Sequence, residues 1–140
     1  MPRPTLDALL SHCEAQGVAV TWAPLPAGWE GAWHRRRRTI YLDPCLADWQ
    51  AVPVLLHEMT HAHLDHDGHQ GPAVERRIDE AVARTLLDHH QVARAEAAVG
   101  HHLGALAAEL DVPVWVIEAW HRTLRAGRHM EGLRQVPPPA

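Results

Sequence analysis

At 140 residues the chain is long enough for one domain with a modest core, and 46% apolar with 21% charged residues is the balance of an ordinary soluble globular protein. A net charge of −4 gives no general reason to expect nucleic-acid binding, and no stretch approaches the length of a membrane span. The two cysteines, Cys13 and Cys45, form no C-x-x-C pair and no regular framework, so free thiols in a reducing cytoplasm are expected.

The first predicted helix covers residues 5–16, where Leu6, Leu9, Leu10 and Cys13 repeat at i, i+3, i+4 and i+7; Gly17 is its natural left-handed stop. Val18, Val20 and Trp22 alternate with smaller or polar residues and predict a short strand. Pro24 to Gly28, PLPAG, is a turn. Two further strands are predicted at 29–33 and 39–42, joined across the run HRRRR, and Asp43-Pro44 ends the sheet. Pro53 belongs in the first turn of the next helix, where a missing N–H costs little. That helix is therefore expected to start within 50–52, to run to about 65 and to break at Asp67-Gly68.

A loop through Gly71 leads to Pro72, which opens a helix expected to end near His90. Val74, Ile78, Ala81, Val82 and Thr85 form its apolar stripe. Arg76, Glu80, Arg84 and Asp88 follow four apart with alternating sign, a solvated ladder of weak ion pairs. Glu75 and Asp79 belong to neither row and flank the buried stripe, where a carboxylate needs a reason to be. Beyond Gln91 the chain stays helical and alanine-rich. Residues 103–124 have a helix-turn-helix outline turning near Asp111-Val112-Pro113, with Trp115, Val116 and Trp120 as core candidates. The division expected is a core at 1–99, a packed helical extension at 100–130 and a disordered tail at 131–140.

Chemistry concentrates in LLHEMTHAHLDHDG, residues 55–68, which contains His57-Glu58-x-x-His61. On a helix, positions i and i+4 differ by only about 40° around the axis, so both imidazoles can reach one ion. Glu58 then stands beside the coordination position left for water. This is the layout of metal-assisted hydrolysis: His57 and His61 hold Zn²⁺, the ion lowers the pKa of a water, and Glu58 takes and later returns the proton. A chain this rich in histidine produces H-E-x-x-H in about 8% of random orderings, so the motif needs support from its setting.

A third ligand has four candidates. His66 lies one residue off the metzincin position, and Asp67 matches the rarer aspartate variant, but Leu64 stands where both use glycine. Glu80 is accounted for by the charge ladder. Glu75 lies 14 residues beyond His61 in the first turn of the next helix, after a loop long enough to reverse direction. It is the preferred ligand, in a two-histidine, one-glutamate set. Asp79, one turn further on, suits a hydrogen-bonding partner for a ligating imidazole.

These residues resemble the ImmA/IrrE-like metallopeptidases of bacteria, phages and mobile elements, whose signature couples H-E-x-x-H to a later helix reading E-x-x-A-[N/D]. Here the halves are His57, Glu58 and His61, then Glu75-Arg76-Arg77-Ile78-Asp79 followed by Ala81-Val82-Ala83 and Leu86-Leu87. TIYLDP and the leucine pair before the motif also look like the family's. Ile78 replaces the usual alanine, and no aromatic stands at Ala81. The resemblance spans about 18–90. It implies His57, His61 and Glu75 as zinc ligands and Glu58 as general base. It further implies an α+β, small zincin-like fold: an N-terminal helix, a short twisted antiparallel sheet, an active-site helix, a ligand helix and a C-terminal helical extension. The implied activity is limited proteolysis of a protein regulator, typically a DNA-binding repressor of a mobile element or stress response.

Blander readings stand beside these. His63, His66 and His69 are extra metal ligands only as exceptions among exposed histidines. His34, His69 and Tyr41 are all conceivable stabilisers of a tetrahedral oxyanion, and the sequence does not choose among them. Arg35 to Arg38 read as charges protecting an edge hairpin. If residues 39–42 were the edge strand lining the cleft, they could receive an extended peptide. The C-terminal helices present tryptophans rather than basic side chains, so direct nucleic-acid contact is not expected. Two other functions remain open at this point: a non-catalytic zinc-containing anti-repressor, and a histidine-rich metal-binding protein without a partner.

Overall fold

Thr5 accepts a hydrogen bond from the Ala8 amide at 3.1 Å and caps α1 (Leu6–Ala15), whose Leu9 and Cys13 are buried. Gly17 follows with φ +72°, the left-handed stop that its position after the helix predicts. The computed structural model describes residues 2–134. Among them the order continues β1 (Ala19–Trp22), β2 (Gly31–His34), β3 (Thr39–Leu42), α2 (Asp48–His63), α3 (Pro72–Leu86), α4 (His89–Val99), α5 (Leu103–Leu110) and α6 (Val114–Arg134). The class is α+β.

The sheet is mixed, not antiparallel as expected. Its order is β1-β3-β2, with β1 parallel to β3 from Ala19↔Thr39 to Trp22↔Leu42, and β2 antiparallel to β3 from Gly31↔Leu42 to His34↔Thr39. The cause is the connection after β1. Residues 23–30 carry two prolines and are too long for a tight hairpin, so the chain passes beyond the neighbouring position, which β3 then fills. Residues 39–42 are therefore the central strand and not an edge, with Ile40 and Leu42 fully buried. Each of these side chains contributes about 1.5–3 kcal/mol by leaving water. The edge strand beside α2 is β2, and it begins at Gly31, two residues later than its tryptophan pattern suggests.

Two apolar clusters meet along α2 and α3. One joins Leu9, Cys13, Val18, Ile40, Leu42, Val54 and Leu55, from α1, the sheet and α2. The other joins α3 to the C-terminal helices through Val82, Leu86, Val92, Leu106, Val116, Ile117 and Trp120. Val52, Leu56 and Trp115 touch both, so α2 is clamped between them.

Helix boundaries depart from expectation in three places. α2 starts at Asp48, which puts Pro53 in the second turn rather than the first. The Gln50 side chain accepts the Ala47 amide at 3.0 Å and fixes the earlier start; the proline is buried and forfeits one intrahelical bond. α3 ends at Leu86 rather than near His90, because Asp88 caps a new helix by accepting the Gln91 amide at 2.8 Å. Asp88 is thus a cap, not a rung of the charge ladder, and Thr85, expected on the apolar stripe, is exposed and bonded to the Ala81 carbonyl. α6 continues to Arg134, four residues into the segment expected to be disordered; residues 135–140 lie outside the described residues. Asp111, in the left-handed conformation, makes the turn between α5 and α6 where a helix-turn-helix outline requires one. Among the described residues, no helix is long and apolar enough to cross a membrane.

Candidate metal centre

His57 and His61 are one helical turn apart on α2, on the face turned to α3. Their Nε2 atoms lie 3.2 Å from each other, and Glu75 Oε2, from the first turn of α3, lies 2.9 Å from the first and 3.1 Å from the second. Donor atoms about 2.0–2.2 Å from a tetrahedral ion stand about 3.3–3.6 Å apart, so this trio needs only slight expansion to hold one. Among the described residues these three form the group that could hold a metal ion; His63, His66, Asp67, His69 and Glu80 are outside it.

The atoms turned away from the centre are held as well. His57 Nδ1 meets Asp79 Oδ1 at 2.7 Å, the contact that Asp79's place one turn after Glu75 predicts. A carboxylate there makes Nδ1 the protonated nitrogen and leaves Nε2 free as a ligand. Glu75 Oε1 accepts the Gln70 amide at 3.2 Å, which orients the other oxygen toward the histidines. Burial opposes ionisation of Glu75, but the Gln70 amide, His61 and His57 outweigh it and hold its carboxyl below the usual range. For His57 burial opposes protonation too; Asp79, Glu58 and Glu75 prevail and raise its pKa. His61 is the reverse case, since burial outweighs the attraction of Glu75 and lowers its pKa.

Glu58 is buried beside the trio at the floor of a cleft of about 360 Å³, lined by Trp29, Gly31, Val54, His57, His69 and Trp115 among others. Burial pushes its carboxyl up to about 7, relieved partly by His57 and reinforced by Glu75. The edge strand passes directly over it: a Cβ on Gly31 would lie 2.6 Å from Val54 Cγ1 and 3.2 Å from Glu58 Cγ. Gly31→Ala is therefore expected to destabilise the fold by about 1–3 kcal/mol through overpacking, read as a lower denaturant midpoint with unchanged m. An unchanged midpoint would show that β2 does not press on Glu58.

Of the side chains considered for the oxyanion, His69 lines the cleft, packed edge-on to Trp29 at 4.8 Å, with Nδ1 3.8 Å from Glu75 Oε1. His34 and Tyr41 are occupied on the hairpin: His34 Nδ1 accepts the Arg37 amide, and the Tyr41 hydroxyl accepts from the Arg37 side chain. The four arginines are largely engaged within the molecule, since Arg35 pairs with Asp65 at 3.0 Å and Arg38 lies over the Trp33 ring. Two participants were not predicted. Trp115 of α6 stands edge-on to His57 at 6.5 Å and closes the cleft from the C-terminal side; its spacing in the sequence signals only a core residue. His66, weighed as a ligand, instead contacts His61 from behind, Nδ1 to Nδ1 at 2.8 Å.

No protein-family model matches the chain, and no curated protein gives a significant match.

Proposed function

We propose that the chain is a zinc-dependent endopeptidase with a small zincin-like fold, acting in the cytoplasm on a protein regulator such as a DNA-binding repressor. The observation that carries the reading is the approach of one Glu75 oxygen to both histidine Nε2 atoms, with a buried glutamate alongside. Two neutral imidazoles and one carboxylate are the donor set of a catalytic rather than a structural zinc site, because three protein ligands leave a position open. Bound there, Zn²⁺ supplies Lewis acidity toward a water and toward the scissile carbonyl.

The chain's own residues account for the rest. His57, His61 and Glu75 would hold the ion, and Asp79 fixes the tautomer of His57. Glu58, buried beside the three ligands, would take a proton from the attacking water and deliver it to the departing amine. As an edge strand of the sheet passing above Glu58, β2 could offer backbone groups to an extended peptide, a role that the central strand β3 cannot fill. The resemblance to ImmA/IrrE-like metallopeptidases, carried by the same residues, supplies the kind of target.

The test is a metal analysis of the purified chain with a peptide-library cleavage assay. About one zinc per chain is expected, lost in His57→Ala together with cleavage. A wild-type chain that takes up no stoichiometric zinc rejects the reading; one that binds zinc but cuts neither library peptides nor a repressor encoded nearby is a regulatory binding protein instead.

A further inference from the structure

α2 ends in a left-handed closure that dictates where His66 goes. The Asp65 amide bonds to the Ala62 carbonyl at 3.1 Å and the His66 amide to the His61 carbonyl at 3.0 Å, with Asp65 at φ +55°. This is the paired bonding of a Schellman motif, which stacks the second residue past the cap on the residue five before it. The contact is ordinarily apolar. Here both positions are histidine, and the rings meet edge-on at 5.1 Å between centroids, Nδ1 to Nδ1 at 2.8 Å. One of these nitrogens must carry a proton, because two bare lone pairs repel at that distance. An ion on His61 Nε2 assigns the proton to His61 Nδ1, and His66 Nδ1 is then the acceptor.

His66 is itself held. Trp33 Nε1 donates to the His66 carbonyl at 3.1 Å, and the Arg35–Asp65 ion pair ties the preceding residue to the same hairpin. His57 has its acceptor in Asp79; for His61 the only counterpart among the described residues is His66. His66, one place off the metzincin pattern, faces Nδ1 of His61 and not the Nε2 that meets Glu75.

We infer that His66 is a positioning residue for His61: through Nδ1, and itself tethered to β2 by Trp33, it fixes the tautomer and ring angle with which His61 meets a metal ion. The inference rests on the metal-centre reading above. It is tested with Zn²⁺ alone, by competition against a chromophoric chelator on wild type, His66→Ala, His66→Asn, Trp33→Phe and His61→Ala, with Co²⁺ spectra to follow the ligand set. His66→Ala is expected to keep one equivalent of Zn²⁺ but bind it about 10- to 100-fold more weakly. His66→Asn, whose amide oxygen can replace Nδ1 as acceptor, should recover most of that loss. Trp33→Phe should show a smaller loss in the same direction. Should His66→Ala misfold, as metal-free melting would reveal, the asparagine and phenylalanine variants decide.

Wild-type affinity in His66→Ala, or His66→Asn no better than His66→Ala, overturns the inference. So does loss of stoichiometric binding in His66→Ala with a Co²⁺ spectrum like that of His61→Ala, since His66 would then be a ligand. A wild-type chain without stoichiometric Zn²⁺ overturns the metal centre itself, a distinct result.

Discussion

Glu58→Gln is expected to retain zinc and to lose peptide cleavage by about 10²- to 10⁴-fold, the usual worth of a positioned general base. Glutamine keeps the shape that lies under Gly31 but cannot carry a proton from water to an amine. The substitution also has a sign in stability. Burial raises the Glu58 pKa from 4.5 to about 7, so in the metal-free protein ionisation of this group opposes folding. Below its unfolded value the carboxyl is protonated in both states and the penalty vanishes; it grows as pH rises and is complete above the folded value. Metal-free Glu58→Gln should therefore be the more stable protein at pH 8, by about 3 kcal/mol, and should lose that advantage on acidification. Zinc content, cleavage and denaturant midpoints measure all of this on one pair of proteins. Cleavage that survives in Glu58→Gln removes Glu58 as the base.

Removing the metal should have the larger effect on the fold. A ligand present at about 1,000 times its Kd stabilises by about 4 kcal/mol, which for a domain of this length is a rise of about 10–15 °C in Tm. Zinc-loaded protein treated with excess chelator should lose that increment, and re-addition of zinc should restore it. Glu75→Ala should melt at the same temperature with or without zinc, because the carboxylate contacting both histidines is gone. Glu58→Gln should keep the full increment. An increment surviving in Glu75→Ala would place the ion elsewhere on this histidine-rich chain.

The grouping of His57, His61 and Glu75 was legible because its determinants are local. His57 and His61 share a helical face by arithmetic, Glu75 and Asp79 share one on the next helix, and a glycine-containing loop turns the second helix back on the first. The sheet was read less well. Strand positions follow from alternation, but pairing order does not: nothing in TIYL says that β1 will join it in parallel, and only the fully buried Ile40 and Leu42 mark it as central. Pro53 misled because an upstream glutamine cap outweighs one missing hydrogen bond. Asp88 misled because a residue at helical spacing and a residue that ends a helix look alike until its side chain is seen on the Gln91 amide. His66 required knowing that α2 closes through a left-handed aspartate, a conformation common for glycine and asparagine but rarely assigned to aspartate in advance.

The side chains hydrogen-bonded to one another at the candidate centre, from His57 through His61, His66 and Glu75 to Asp79, come from one short stretch of chain. Such a stretch closes with little loop entropy and asks nothing of distant strands. The Trp33 tether is different, since 33 residues separate it from its acceptor. The candidate ligands are thus brought together by short-range contacts, and the one long-range tether, from Trp33 on β2, acts on the residue behind His61 rather than on a ligand.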